Sequence, residues 1–125
     1  MSKIEIKTPD AHAPFGYYSA AVQKGNMLFL SGFGPFDKNQ KLVGEGDFDA
    51  QARLTMENIR IVTEAAGFTM DDIMRSTVYL ADIKHWARFN EIYGEYFNAP
   101  YPARCVVECN LNGFLIEIEC TAIRD

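Results

Sequence analysis

The chain has 125 residues, of which 48% are hydrophobic and 23% are charged, and these proportions predict a single globular domain over residues 1–125. The formal net charge is −5 and the 12 lysine and arginine residues are scattered, which disfavours nucleic acid as the main partner. No run is apolar enough to cross a bilayer and no signal-peptide pattern opens the chain, so we expect a cytoplasmic protein without membrane contact.

The first part of the chain predicts strands. Apolar residues alternate near residues 4–8, 17–24 and 27–32, and Gly25-Asn26 forms a tight turn between the second and third segments. Residues 35–46 have the composition of a loop. We therefore expect three strands before the first helix.

A helix is predicted over residues 47–66, because apolar residues recur at helical spacing, Asp47 or Asp49 can cap its start and Gly67 ends it. Residues 69–72 indicate a short helical turn. A strand then follows over residues 74–80.

Asp82 can cap a second helix, which the two prolines at 100 and 102 end. Aromatic side chains at helical spacing usually pack against a sheet, so we interpret them here as core rather than as a binding surface. The residues of this stripe are Trp86, Phe89, Tyr93, Tyr96 and Phe97.

Two apolar strand patterns, residues 102–109 and 115–122, close the chain with Asn112-Gly113 between them, which predicts a hairpin. Each strand contains charged residues. Its period of two places Arg104 on one face of the first strand and Glu117 with Glu119 on one face of the second.

The order of elements predicts an α+β two-layer domain, with a mixed sheet of about six strands and two helices packed on one face. The other face then has no helix to cover it, and we expect it to carry Arg104, Glu117 and Glu119. Self-association would bury this face, which favours a homo-oligomer with sites near subunit interfaces. A monomer with a solvated sheet face is the alternative.

Arg104 can bind a carboxylate through its planar guanidinium, and Glu119 is a candidate acid or base whose strand is flanked by apolar residues. A structural ion pair of Arg104 with Glu117 or Glu119 fits the sequence equally well. His12 and His85 are isolated, which favours surface or loop positions over a role as a base.

The three cysteines form neither a disulfide framework nor a Cys-x-x-Cys motif, and no histidine lies near them with metal-ligand spacing. We therefore predict no metal site. We interpret Cys105, Cys109 and Cys120 as small core hydrophobes, with a reactive thiol at Cys105, beside Arg104, as the alternative.

Several short motifs follow one another over almost the whole chain in an order that matches a known family. They include Gly16-Tyr17-Tyr18-Ser19, the run from Gly25 to Gly32, Asn90-Glu91-Ile92-Tyr93, Pro102-Ala103-Arg104 and Ile116-Glu117-Ile118-Glu119. Together they resemble the RidA (YjgF) family of reactive intermediate deaminases. The resemblance implies a chorismate-mutase-like fold and a homotrimer, with the sheets around a central barrel and three clefts between subunits.

The resemblance also implies a reaction: hydrolysis of 2-imino acids or their enamine tautomers, such as 2-aminoacrylate, to 2-keto acids and ammonia. The protein would then be like 2-iminobutanoate/2-iminopropanoate deaminase. An imine is already electrophilic, so no cofactor is expected. Arg104 would hold the substrate carboxylate and Glu119 would activate the water. The remaining substrate-binding positions would be Tyr18, Ser31, Phe33, Asn90 and Cys105.

The chain departs from the usual family pattern around the pocket, because Tyr17, Ala20 and Phe33 replace a proline and two glutamines. These changes favour a bulkier enamine, such as an aminomuconate-type intermediate, as one alternative. A trimer that binds small carboxylates without turnover is another. An RNA-cleaving role, the endoribonuclease L-PSP label that some members carry, is disfavoured by the net charge of −5.

Overall fold

Six strands and two α-helices make up the computed structural model, which describes residues 2–125. Two short 3-10 turns, Met70–Asp72 and Ile83–His85, precede the fourth strand and the second helix respectively. In chain order the elements are β1 (Ile4–Ile6), β2 (Ala21–Lys24), β3 (Met27–Phe33), α1 (Phe48–Ala65), β4 (Ile73–Leu80), α2 (Trp86–Gly94), β5 (Ala103–Glu108) and β6 (Ile116–Ile123).

The strands form one mixed sheet in the order β1-β2-β3-β6-β4-β5. Every neighbouring pair is antiparallel except β4 and β5, which run parallel. Both helices pack on the same face, and the predicted two-layer α+β architecture is confirmed. Neither helix among the described residues is long and apolar enough to cross a membrane.

The core lies between the helices and the sheet. The Asp47 carboxylate accepts a hydrogen bond from the backbone N–H of Ala50 at 3.1 Å, as predicted for a helix cap. One stripe of α1 is buried, because apolar residues recur there every three or four positions. It packs against the inward residues of the sheet, which include Leu28, Val78, Leu80, Ile116 and Ile118.

The predicted hairpin between β5 and β6 is wrong, because β4 lies between these two strands and pairs with both. The turn itself forms: Asn112 and Gly113 have φ values of +39° and +101°, and the N–H of Phe114 donates to the carbonyl of Leu111 at 3.0 Å. The turn belongs to a connection that passes over the end of β4 rather than joining two paired strands.

The predicted strand over residues 17–24 is shorter than expected, since β2 begins only at Ala21. The preceding segment bends. The N–H of Tyr18 donates to the carbonyl of Gly16, and the N–H of Phe15 donates to the Tyr18 hydroxyl at 3.0 Å. These local bonds satisfy backbone groups that a longer strand would have paired with a neighbour.

The second face of the sheet carries no helix, as predicted, and we call it the open face. Apolar side chains there remain partly exposed to water, among them Phe29 at 43% and Val107 at 39%. Polar side chains share this face, and the ones that matter below are Arg75, Thr77, Tyr79, Cys105, Glu117 and Glu119.

Candidate functional site

Glu117 is the most unusual carboxylate of the sheet. It projects from β6 on the open face, where it is half-buried, and its carboxylate lies over Gly32 of β3. A Cβ atom added to Gly32 would lie only 2.7 Å from the Oε2 atom of Glu117, so the missing side chain makes room for the carboxylate. Burial raises the pKa of Glu117, and the nearby charge of Glu119 adds to this effect.

Glu117 forms one wall of a pocket of about 460 Å³, which we call the aromatic pocket. The rings pack edge to face in a chain: the centroids of Phe15 and Phe36 are 5.0 Å apart, and those of Phe36 and Phe114 are 5.2 Å apart. The side chains that define this pocket are His12, Phe15, Tyr18, Phe36, Phe114 and Glu117.

Hydrogen bonds from outside the aromatic pocket hold its loops in place. The side-chain amide of Asn58, which is buried in α1, donates to the carbonyls of Gly34 and Phe36, each at 3.0 Å. The hydroxyl of Ser31 donates to the carbonyl of Ser19 at 2.5 Å. The loop that contains Gly34 and Phe36 is therefore fixed to α1, and the loop that contains Ser19 is fixed to β3, so the pocket is preorganised.

Arg104 lies elsewhere. It projects from the edge strand β5 toward the helix side of the sheet, and its Cζ atom is 4.7 Å from the ring centroid of Tyr93 and 5.5 Å from that of Trp86. Its Nη2 atom donates to Oδ1 of Asn90 at 3.0 Å. The prediction that Arg104 shares the open face with both glutamates is therefore wrong.

The reason is the register of β5. Arg104 lies beside Ser76 of β4, which is buried under α2 and bonded to the Tyr93 hydroxyl, while the next residue, Cys105, lies beside Thr77 on the open face. In two adjacent strands, residues at paired positions share a face. Arg104 therefore follows Ser76 to the helix side.

Arg104 opens onto a second pocket of about 520 Å³, which we call the arginine pocket and define by Asn90, Tyr93, Tyr101, Pro102 and Arg104. Within residues 2–125 Arg104 forms no ion pair, so the alternative of a structural pair with either glutamate does not hold inside one chain. A guanidinium that is held in place by aromatic rings, yet lacks an acidic partner, can bind an anion from outside.

Glu119, the predicted catalytic carboxylate, does not line the aromatic pocket. It is exposed on the open face, where the Tyr79 hydroxyl donates to its Oε1 atom at 3.0 Å, and this bond raises the pKa of Tyr79. It borders a smaller hollow of about 240 Å³ together with Arg75 and Thr77. Glu117, rather than Glu119, is the carboxylate that the structure brings together with Tyr18.

Phe33 was expected to line the pocket, and this prediction is wrong because the ring is only 1% exposed. A β-bulge between Leu30 and Phe33 interrupts the alternation of β3 and turns Phe33 to the helix side, opposite Ile118. Phe33 supports the pocket from behind, since its ring centroid is 4.9 Å from that of His12. Ser31, also predicted to bind substrate, uses its hydroxyl in the loop instead.

His12 lies in a loop, as predicted, but it is 4% exposed and not a surface residue. Its Nδ1 atom is 3.2 Å from the carbonyl of Ala13, and burial lowers its pKa. His12, Phe15, Phe36 and Phe114 were missed as pocket residues. They come from separate loops, so no sequence periodicity links them.

The cysteines differ in their exposure to water. Cys120 is buried in the core, where burial raises the pKa of its thiol to about 12, as expected for a small core hydrophobe. Cys105 is exposed on the open face, so its interpretation as a core residue is wrong. It lies across Thr77 from Glu119 and not in the arginine pocket. Within residues 2–125 no three His, Cys, Asp or Glu side chains cluster as a metal site would require.

Comparisons with known proteins agree with this fold. Residues 8–124 match the profile of the endoribonuclease L-PSP family. The chain is 41% identical over 122 residues to a RutC family protein of Pyrococcus horikoshii, an alignment that covers 96% of this chain and 97% of that protein.

Two solved structures are similar over nearly their full lengths. RidA from an Antarctic Psychrobacter species has a TM-score of 0.90 and 36% identity, and the match covers 97% of this chain and 99% of that one. TdcF of E. coli, solved with bound serine, has a TM-score of 0.90 and 33% identity, and the match covers 98% of this chain and 99% of that one.

Proposed function

Because the chain belongs to the endoribonuclease L-PSP family, which includes RidA, we propose that it is a deaminase that hydrolyses 2-imino acids and their enamine tautomers to 2-keto acids and ammonia. Substrates of the 2-aminoacrylate and 2-iminobutanoate type represent this class. The observation that carries the proposal is a pair of complementary pockets, one with an unpaired arginine and the other with a carboxyl group of raised pKa.

Arg104 binds the substrate carboxylate in this proposal. Its guanidinium can donate two parallel hydrogen bonds to a carboxylate. The rings of Tyr93 and Trp86 and the amide of Asn90 hold it in a single orientation, so little conformational entropy is lost on binding. The serine bound to the similar TdcF is also a small carboxylate, which supports this assignment.

Glu117 moves protons in this proposal. Water adds to the carbon of the C=N bond, so a C–O bond forms; one water proton passes to the carboxylate, which returns it to the nitrogen. The proton of the new hydroxyl then passes through the same carboxylate to the nitrogen, the C–N bond breaks as the C=O bond forms, and ammonia and the 2-keto acid remain, with no change in oxidation state overall. The raised pKa makes the Glu117 carboxylate a stronger proton acceptor than an ordinary carboxylate, and its place on the wall of the aromatic pocket favours Glu117 over Glu119.

A single chain does not bring these two groups together. Arg104 projects to the helix side of the edge strand, whereas Glu117 projects to the open face, and the two pockets share no lining residue. We therefore propose a homotrimer in which each cleft joins the arginine pocket of one subunit to the aromatic pocket of its neighbour. The partly exposed apolar residues of the open face, Phe29, Val107 and Ile123, support this assembly.

The proposal is tested by generating 2-iminobutanoate in situ with a threonine dehydratase and following the release of 2-ketobutyrate. We expect the protein to accelerate release, and Arg104→Ala to lower kcat/KM by about 10- to 100-fold, as loss of hydrogen bonds to a charged group predicts. Arg104→Lys should lose most of the same activity, because a point charge does not reproduce the guanidinium fork.

A matched control is Arg60→Ala, which removes an exposed arginine of α1 that is paired with Glu57 and Glu64. It should leave the rate unchanged. Absence of acceleration by the wild-type protein, or full activity of Arg104→Ala, would contradict the proposed function.

A further inference from the structure

The aromatic pocket points to a substrate class. Resting on the proposed function, we infer that the protein prefers imines whose side chain carries an aromatic ring, such as the imine of phenylalanine, over imines with small or acidic side chains. The ring would occupy the space between Phe15, Phe36 and Phe114, next to Glu117.

The size and surface of the pocket favour a ring. Its volume of about 460 Å³ lies within the range of roughly 300–1,000 Å³ that is typical of small-molecule sites. A methyl or ethyl side chain would leave most of the wall without contacts. Phe15 and Tyr18 are 54% and 45% exposed in the isolated chain, so an inserted ring would remove apolar wall from water.

The arrangement of the rings suits an aromatic guest. The three phenylalanines already pack edge to face, with Phe36 in the middle. Another ring can join the series in the same offset or perpendicular geometry, which aromatic pairs prefer. An aliphatic guest gains contact area but not this additional interaction.

The charges of the pocket disfavour an acidic guest. Glu117 is the charged residue on the wall, and neither lysine nor arginine lines it. Burial lowers the pKa of His12, which disfavours a positive charge on this ring. A second carboxylate on the substrate would face Glu117 without a cation, which disfavours aminomuconate-type and glutamate-derived imines.

The test is a substrate panel. A broad-specificity amino-acid oxidase generates imines from phenylalanine, leucine, alanine and glutamate in the presence of semicarbazide, which traps imine that the protein has not hydrolysed. We expect kcat/KM for the phenylalanine-derived imine to exceed that for the alanine-derived imine by about 10- to 100-fold, as burial of one aromatic side chain predicts. The glutamate-derived imine should be the poorest substrate.

Two substitutions at Phe114 test whether the aromatic pocket causes the preference for the phenylalanine-derived imine. Phe114→Ala should lower the phenylalanine-to-alanine ratio about tenfold, with Phe114→Leu in between, as the apolar contact area decreases. Ile83→Ala is the matched control, because Ile83 is an apolar residue that is 46% exposed and lies outside the pocket. It should leave the ratio unchanged. Circular dichroism verifies that each variant is folded.

The outcomes separate the inference from the function on which it rests. Hydrolysis of small imines without preference for the aromatic one, or an unchanged ratio in Phe114→Ala, overturns the inference and leaves the function standing. If no imine is hydrolysed, calorimetry with phenylpyruvate and pyruvate decides. Tighter binding of phenylpyruvate that Phe114→Ala abolishes supports the aromatic preference while the deaminase function fails, and equal binding overturns both.

Discussion

Glu117 and Glu119 differ only in their surroundings. Both project from β6 onto the open face, two residues apart. Glu117 lies over a glycine beside aromatic rings, and its pKa is raised, whereas Glu119 is exposed and bonded to Tyr79. The same side chain thus lines a pocket in one position and is a polar surface group in the other, and for this reason we propose Glu117 as the proton carrier.

Glu117→Gln should therefore abolish most of the activity. Loss of a general acid or base costs about 10²- to 10⁴-fold in rate, and we expect kcat on 2-iminobutanoate to fall within this range. Glu119→Gln is the matched control and should retain activity within a few fold. The opposite pattern, with Glu119→Gln inactive and Glu117→Gln active, would show that Glu119 is the general acid or base.

Glu117→Gln should also change the pH dependence of stability. The pKa of Glu117 is raised in the folded state, so the folded chain binds its proton more tightly than the unfolded chain does. The stability that this proton contributes is complete below the unfolded pKa and is lost as the pH rises through the folded pKa. Glutamine has no such loss.

We therefore expect the Tm of Glu117→Gln, relative to that of the wild type, to rise as the pH increases from 4 and to level off once the pH has passed the folded pKa of Glu117, measured by thermal unfolding at each pH up to 8. A difference in Tm that is constant across this range, or that shrinks with rising pH, would show that Glu117 does not titrate as proposed.

At the scale of the elements, the bulge in β3 decides the shape of the site. It turns Phe33 into the core and leaves Gly32 under the carboxylate of Glu117. A regular strand would have placed the Phe33 ring on the open face. One irregular position therefore decides whether a large ring or an ionisable group occupies this place.

Gly32→Ala should preserve the fold and impair the site. The new Cβ would come within 2.7 Å of Oε2 of Glu117, and the flexible carboxylate would have to move. We expect kcat/KM to fall by about tenfold or more, as small displacements of catalytic groups do. Gly16→Ala is the control, because its Cβ would make only ordinary contacts of 3.8 Å with Tyr18. Equal activity of both variants would mean that the position of this carboxylate does not matter.

The sequence predicts individual helices, strands and turns better than it predicts which strands pair with each other. Helix α1 and its Asp47 cap follow from local patterns, and so does the Asn112-Gly113 turn. The insertion of β4 between β5 and β6 is a long-range pairing that a turn does not encode. For the same reason the strand period alone did not place Arg104 on the helix side.

The site shows the same limit. Tyr18 lines the aromatic pocket and Asn90 and Arg104 line the arginine pocket, while their predicted role in substrate binding stays a prediction. Phe15, Phe36 and Phe114 come from loops far apart in the chain, so they meet only after folding. Short sequence motifs therefore identify individual pocket residues. The aromatic pocket as a whole, which we propose selects the substrate, forms only in the tertiary structure.

For the whole molecule, the proposed site requires assembly. One chain holds Arg104 and Glu117 on opposite faces of its sheet, and its open face leaves apolar residues partly exposed. A closed oligomer would bury these residues and join the two pockets in clefts that repeat by symmetry. The proposed site would form only between subunits, so we expect neither pocket to function in an isolated chain.

Subunit complementation tests whether Arg104 of one subunit and Glu117 of its neighbour form one site. Arg104→Ala and Glu117→Gln chains, each strongly impaired alone, are co-expressed with different affinity tags, and complexes carrying both tags are purified. Every ring of three that contains both kinds of chain has about a third of its clefts, one in three, with an intact Arg104 beside an intact Glu117. We predict that co-assembled preparations recover activity on 2-iminobutanoate of this order, while a chain carrying both substitutions recovers none. Mixed complexes that remain inactive would contradict a site shared between subunits.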